Sequence, residues 1–136
     1  MRKVSGFTII ELVVVITILG ILAAVALPKF FDIQTDAKKA AAQGVAGALA
    51  SGSALNYSTF LVKGSAVTSP AVTVQTCTTA DVQALFTGGT FPSGYTINGS
   101  MGANAGDPGT CSIVALDGAA AEVAGTTVTA SVITVK

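Results

Sequence analysis

The chain has 136 residues, enough for one domain preceded by an N-terminal segment. Hydrophobic residues make up 51% but aromatic ones only 6%, there is no histidine, and seven basic side chains balance seven acidic ones. These counts exclude a Ser-His-Asp or Cys-His catalytic site and give no basic patch for nucleic acid beyond the first residues. They favour an Ala-rich helix and Val/Thr-rich strands over a bulky core.

The chain begins with two cations, Arg2 and Lys3, followed by Gly6. From Phe7 to Leu27 it is apolar except for Glu11, and Pro28 follows. At about 1.5 Å per residue this stretch reaches about 31 Å, the thickness of a bilayer core. Arg2 and Lys3 hold its N-terminal end in the cytoplasm. A carboxylate at mid-bilayer costs about 2.5–3.5 kcal/mol, so Glu11 asks for a partner. A plain membrane anchor explains the length and the cations but not Glu11. A secretory signal cut after Ala26, on the small-x-small pattern Ala24-Val25-Ala26, leaves Glu11 equally unexplained. A buried core helix lacks enough chain to wrap it.

The run Gly6-Phe7-Thr8-Ile9-Ile10-Glu11-Leu12 closely resembles the cleavage and methylation signature of type IV prepilins. Leader cations, Gly-Phe, Glu, apolar run and Pro28 all fall in the order of that family. The Pro28-Lys29-Phe30-Phe31-Asp32 stretch and its Ala-rich continuation look, more loosely, like pilins of the mannose-sensitive haemagglutinin type. The resemblance implies cleavage between Gly6 and Phe7 by a membrane aspartyl peptidase, which also methylates the new Phe7 amine. Trimming leaves five basic against seven acidic side chains.

Glu11 has two readings. Thr8-Ile9-Ile10-Glu11 matches the S/T-x-x-E capping box, and a carboxylate suits the first helical turn. A cleaved chain also carries a cationic amine on Phe7, which Glu11 of a neighbouring copy can neutralise. The family resemblance implies this second role. Desolvation opposes the attraction, so the pair serves axial register more surely than affinity. Further along, Pro28 cannot donate to the Ala24 carbonyl and Gly20 weakens the helix. Membrane helices tolerate both. The alternative, resembling the family, is a segment that melts locally when subunits leave lipid for a fibre.

Helical spacing resumes after Pro28, through Phe30, Ile33, Ala37, Ala40 or Ala41, Gly44, Ala48, Gly52 and Leu55. This narrow stripe is read as the face that docks the rest of the domain, with fraying over residues 56–63. From Phe7 to Thr59 such a helix spans about 80 Å, long for a globular domain. Val67–Cys77, Tyr95–Met101, Cys111–Leu116 and Thr126–Val135 read as strands, the last partly buried on both faces. Thr78–Phe86 reads as a short helix capped by Thr79 and ended by Gly88-Gly89. The predicted fold is therefore α+β: a long N-terminal helix packed on a small antiparallel β-sheet head. Its segments are a leader (1–6), a membrane or filament-core helix (7–28), an amphipathic continuation (29–63) and the head (64–136).

Cys77 and Cys111 fit one disulfide in an exported domain, the alternative being two buried thiols. Closing a loop of about 34 residues contributes roughly 3–4 kcal/mol in the chain-entropy model. Asp107 and Asp117 match no calcium-loop spacing and read as solvated turn carboxylates, so neither metal nor cofactor is expected. The sequons at Asn56 and Asn98 have the form that arises by chance. Phe7, Phe30, Phe31, Tyr57 and Phe60 read as packing aromatics.

The functional expectation is a structural protein, not an enzyme: a major subunit of an extracellular type IV pilus for adhesion or motility. Its partners are copies of itself in a helical homopolymer, the prepilin peptidase and methylase, the pilus assembly machinery, and the inner membrane before assembly. A pseudopilin of a type II secretion system is the alternative, sharing the same N-terminal segment. The disulfide and the absence of a calcium loop favour the pilus.

Overall fold

A computed structural model describes residues 6–64, 67 and 70–136. Arg2 and Lys3, the leader cations, lie outside the described residues. The fold is α+β, a long N-terminal helix with a small three-stranded antiparallel sheet, as the sequence predicts. Helix α1 (Ile9–Val62) contains both Gly20 and Pro28. The chain divides into two compact units, Met1–Gln34 and Thr35–Lys136.

In the first unit every residue from 6 to 34 is exposed in the isolated chain. Phe7, Ile9 and Val25 keep 84%, 83% and 73% of their surface open. Each such side chain forgoes about 1.5–3 kcal/mol of burial until lipid or protein covers it. By length and composition α1 contains a stretch able to cross a membrane.

The second unit holds the core. Strand β1 (Tyr95–Ser100) pairs antiparallel with β2 (Pro108–Ala115), which pairs antiparallel with β3 (Val128–Ile133). Tyr95 stands opposite Ala115 and Ser100 opposite Thr110; Pro108 stands opposite Ile133 and Ile113 opposite Val128. The inward residues Ile97, Cys111, Ile113, Ala130 and Val132 close on Ala42, Ala46 and Leu49 of α1. Their period-two spacing along the strands meets the i, i+4, i+7 spacing on the helix. A smaller cluster joins Phe60, Ala71 and Val135, with Tyr57 against it.

The docking face differs from the predicted stripe. The buried residues of α1 are Ala42, Ala46, Leu49, Ser53, Asn56 and Phe60. Phe30, Ile33 and Leu55 are 61%, 58% and 69% exposed, and Ala37, Ala40, Ala41, Gly44 and Ala48 are also exposed. This helix is rich in Ala and Gly all round, so apolar spacing alone selects more than one stripe. Polar residues decide between them. Ser53 Oγ accepts from the Ile133 N–H at 2.6 Å, tying α1 to β3. The Asn56 amide donates to the Val72 carbonyl and accepts from the Val72 N–H, each at 2.8 Å.

Among the described residues of Val67–Cys77 there is no strand. Val74 makes an isolated bridge to Val135. The backbone hydrogen bonds a strand needs are taken instead by side chains: Asn56 holds Val72, and the Asp81 carboxylate accepts from the Thr76 N–H at 2.8 Å and the Gln75 N–H at 3.4 Å. Helix α2 (Thr79–Val82) is shorter than predicted and its cap is Thr78, not Thr79: the Thr78 hydroxyl accepts from the Asp81 N–H. A 3-10 turn, Gln83–Leu85, follows. Strand β2 begins three residues before the predicted Cys111, with Pro108 at its first position, where a missing N–H is tolerated. Strand β3 is shorter than Thr126–Val135 and alternates: Thr129 and Ser131 are exposed, Ala130 and Val132 buried.

Candidate functional site at the N-terminal helix

Gly6 is exposed and lies outside regular secondary structure, three residues before Ile9, the first residue of α1. Thr8 stands at the cap position of α1, and its carbonyl accepts from the Leu12 N–H at 3.3 Å. The capping box read from the sequence is formed. The Glu11 N–H donates to Thr8 Oγ1 at 3.3 Å, and the Thr8 N–H donates to Glu11 Oε2 at 2.9 Å. The Thr8 hydroxyl adds a third bond, donating to the same Oε2 at 2.7 Å. Sequence reading missed this last contact, although a hydroxyl at a cap position is its only signal. Phe7, Ile10, Glu11, Val14 and Val15 border one shallow apolar groove on this face.

Chemically the arrangement is a carboxylate on a bare apolar helix, bonded locally through one oxygen. Its capacity is electrostatic: to bond a cation presented along an apolar surface. Downstream, α1 stays helical through Gly20 and Pro28 in the isolated subunit.

The two cysteines are joined: Cys77 and Cys111 form a disulfide with Cα atoms 5.5 Å apart, buried in the second unit. It links the irregular segment before α2 to the central strand β2. Gly99 makes room for it. Its φ of +144° is open chiefly to glycine, and a Cβ there would lie 2.3 Å from the Thr110 carbonyl oxygen and 3.2 Å from Cys77 Sγ.

The acidic turns are occupied by backbone donors. Asp107 Oδ2 accepts from the Asn104 N–H at 2.9 Å. Asp117 Oδ1 accepts from the N–H groups of Ala119 and Ala121 at 2.8 and 2.9 Å, and these bonds, that of Ala121 first, hold its carboxyl below the usual range. Among the described residues no group of three potential metal ligands gathers. Asn56, the first sequon residue, is 8% exposed with both amide ends engaged, so it offers no accessible nitrogen for a glycan. Asn98 is exposed on β1.

Residues 1–27 match the family model for the prokaryotic N-terminal methylation motif. The chain is also 43% identical, over 53 residues, to the type IV narrow pilus major component PilA5 of Thermus thermophilus. That alignment covers 39% of this chain and 46% of the relative, so the chain spans less than half the length of the protein it matches. No solved structure matches. By motif and relative, the chain is similar to type IV pilins.

Proposed function

We propose that this chain is the repeating subunit of an extracellular type IV pilus. It waits in the inner membrane and polymerises through its N-terminal helix into a homopolymer. The peptidase that reads the methylation motif cuts between Gly6 and Phe7, which are both exposed, and methylates the Phe7 amine. Glu11 of one copy then neutralises the Phe7 amine of another and fixes their axial register.

The observation that carries this reading is the coincidence of the motif with a helix that buries nothing. Residues 6–34 are open along their whole length. The stripe from Ala37 to Ala48 is open too, because the sheet packs on a different side of α1. Lipid covers a single membrane span; only protein neighbours can cover a stripe that runs on beyond it. A relative that is 43% identical over 53 residues is named as a major component of a pilus.

The test is to shear surface fibres from cells, weigh their composition, and sequence their N-termini. This chain should dominate the fibre mass and begin at Phe7 carrying one methyl group. A mature chain beginning at Leu27 would show a secretory signal instead. Fibres appearing only when a type II secretion system is overproduced would make the chain a pseudopilin.

A further inference from the structure

We infer that Thr8 is a positioning residue for Glu11: it holds one carboxylate oxygen and turns the other toward the cation of a neighbouring copy. The inference rests on the assembly role proposed for Glu11. Thr8 places two donors, its N–H and its hydroxyl, on the single atom Oε2, at 2.9 and 2.7 Å. Among the described residues no donor reaches Oε1. A carboxylate accepts at both oxygens, so the pair of bonds satisfies half of the group and leaves half for a partner. A glutamate side chain otherwise rotates freely about three bonds, and fixing it on association opposes assembly. Thr8 fixes it beforehand, within the same helical turn. The Glu11 N–H in turn donates to Thr8 Oγ1, so hydroxyl and carboxylate hold each other. Ile10, Val14 and Val15 flank the carboxylate with apolar surface, which strengthens any charge-assisted bond formed once a neighbour excludes water or lipid headgroups.

A plain helix cap and a positioning residue differ in what they depend on. A cap works whether position 11 is Glu or Gln, since both complete the box. Positioning of a charge vanishes with the charge. The experiment is therefore a four-way comparison in cells that also make wild-type chain. Wild-type, Thr8→Val, Glu11→Gln and the double variant are tagged, and their incorporation into mixed fibres is measured by mass spectrometry. Each value is divided by the processed pool of that variant in the membrane, which removes effects on insertion and cleavage. Thr8→Val keeps the branched shape but loses the hydroxyl. It should reduce incorporation about tenfold where Glu11 is intact and less than about twofold in the Glu11→Gln background, the scale of one charge-assisted hydrogen bond. Thr8→Ser, which keeps the hydroxyl, should restore incorporation to within about twofold of wild type.

An equal loss in both backgrounds makes Thr8 a cap only and overturns the inference; so does wild-type incorporation of Thr8→Val. Unimpaired Glu11→Gln overturns the Glu11 reading itself. Should Thr8→Val halt processing, solid-state NMR of the uncleaved chain in bilayers decides. The sequence has two glutamates, Glu11 and Glu122, so Glu122→Gln isolates the Glu11 carboxylate signal. A Glu11 Cδ resonance that Thr8→Val leaves unchanged overturns the inference, and a shifted one that Thr8→Ser restores supports it.

Discussion

Asn56 is a polar residue buried on an otherwise apolar helix face, and its two bonds to Val72 explain its place there. Replacing it with Leu strands the Val72 N–H and carbonyl near the core. The expected loss is about 2–3 kcal/mol, read as a lower denaturation midpoint of the full chain in detergent. Asp81 does a similar task for the residues that follow. The Thr76 hydroxyl, first among its partners, holds its carboxyl below the usual value, with smaller help from the Thr76 and Gln75 N–H groups. A depressed folded value means that this stabilisation is complete above the unfolded value of about 3.9 and is lost as pH falls through the folded one. Stability should thus decline below about pH 4, and Asp81→Asn should flatten the acid limb of a pH–stability curve while leaving pH 7 processing untouched. Asp81 is only partly buried, so solvent screening keeps the effect modest. Neither residue's role was legible in the sequence. A buried Asn and a solvated turn Asp read alike until the backbone groups they serve are placed, whereas Thr8 and Glu11, three apart at a helix start, announce their own pairing.

At the scale of elements, local chemistry was legible and facing was not. The turn residues and alternation placed the three strands to within a few residues, and the two cysteines form the one disulfide that their number allows. The strand expected over Val67–Cys77 failed because side chains from α1 and α2 claim its backbone. The docking stripe failed because Ala and Gly supply apolar spacing on several sides of α1. Gly52 is instructive: it sits in the predicted stripe, yet its need for a bare Cα comes from α2's neighbour. A Cβ there would lie 2.3 Å from the Leu85 carbonyl oxygen, a backbone atom that cannot swing aside. Gly52→Ala should therefore destabilise by about 1–3 kcal/mol, as overpacking does, despite Ala's better helix propensity. Gly44 and Gly47 have open space above them, and Ala at either should raise stability by about 0.5–1 kcal/mol. Thermal unfolding of the three variants orders them. Reduction of the Cys77–Cys111 bridge, or Cys77→Ser, should cost roughly 3–4 kcal/mol for its 34-residue separation.

At the scale of the whole molecule, the proposed assembly bears on one tension, in α1 around Gly20 and Pro28. The isolated subunit is helical from Ile9 to Val62, through a Pro that cannot donate to the Ala24 carbonyl and a Gly that favours other conformations. In lipid the helix is the best available state, since every backbone group released from it lacks water. In the proposed fibre the same stretch would meet neighbouring chains, and the penalty for releasing it would change. We predict that the segment from Gly20 to Pro28 loses helical hydrogen bonds in the fibre while the turns on either side keep theirs. A fibre map at side-chain resolution would show extended backbone between those residues. Hydrogen exchange would show amides of residues 21–27 less protected in fibres than in the detergent-held subunit. Gly20→Ala with Pro28→Ala removes both weak points, worth about 4 kcal/mol of helix preference. That variant should insert and be cleaved normally but build stiffer fibres in fewer numbers. A straight helix through residues 20–28 in the wild-type fibre, with amide protection unchanged, would show that Gly20 and Pro28 are merely tolerated and that assembly needs no melting.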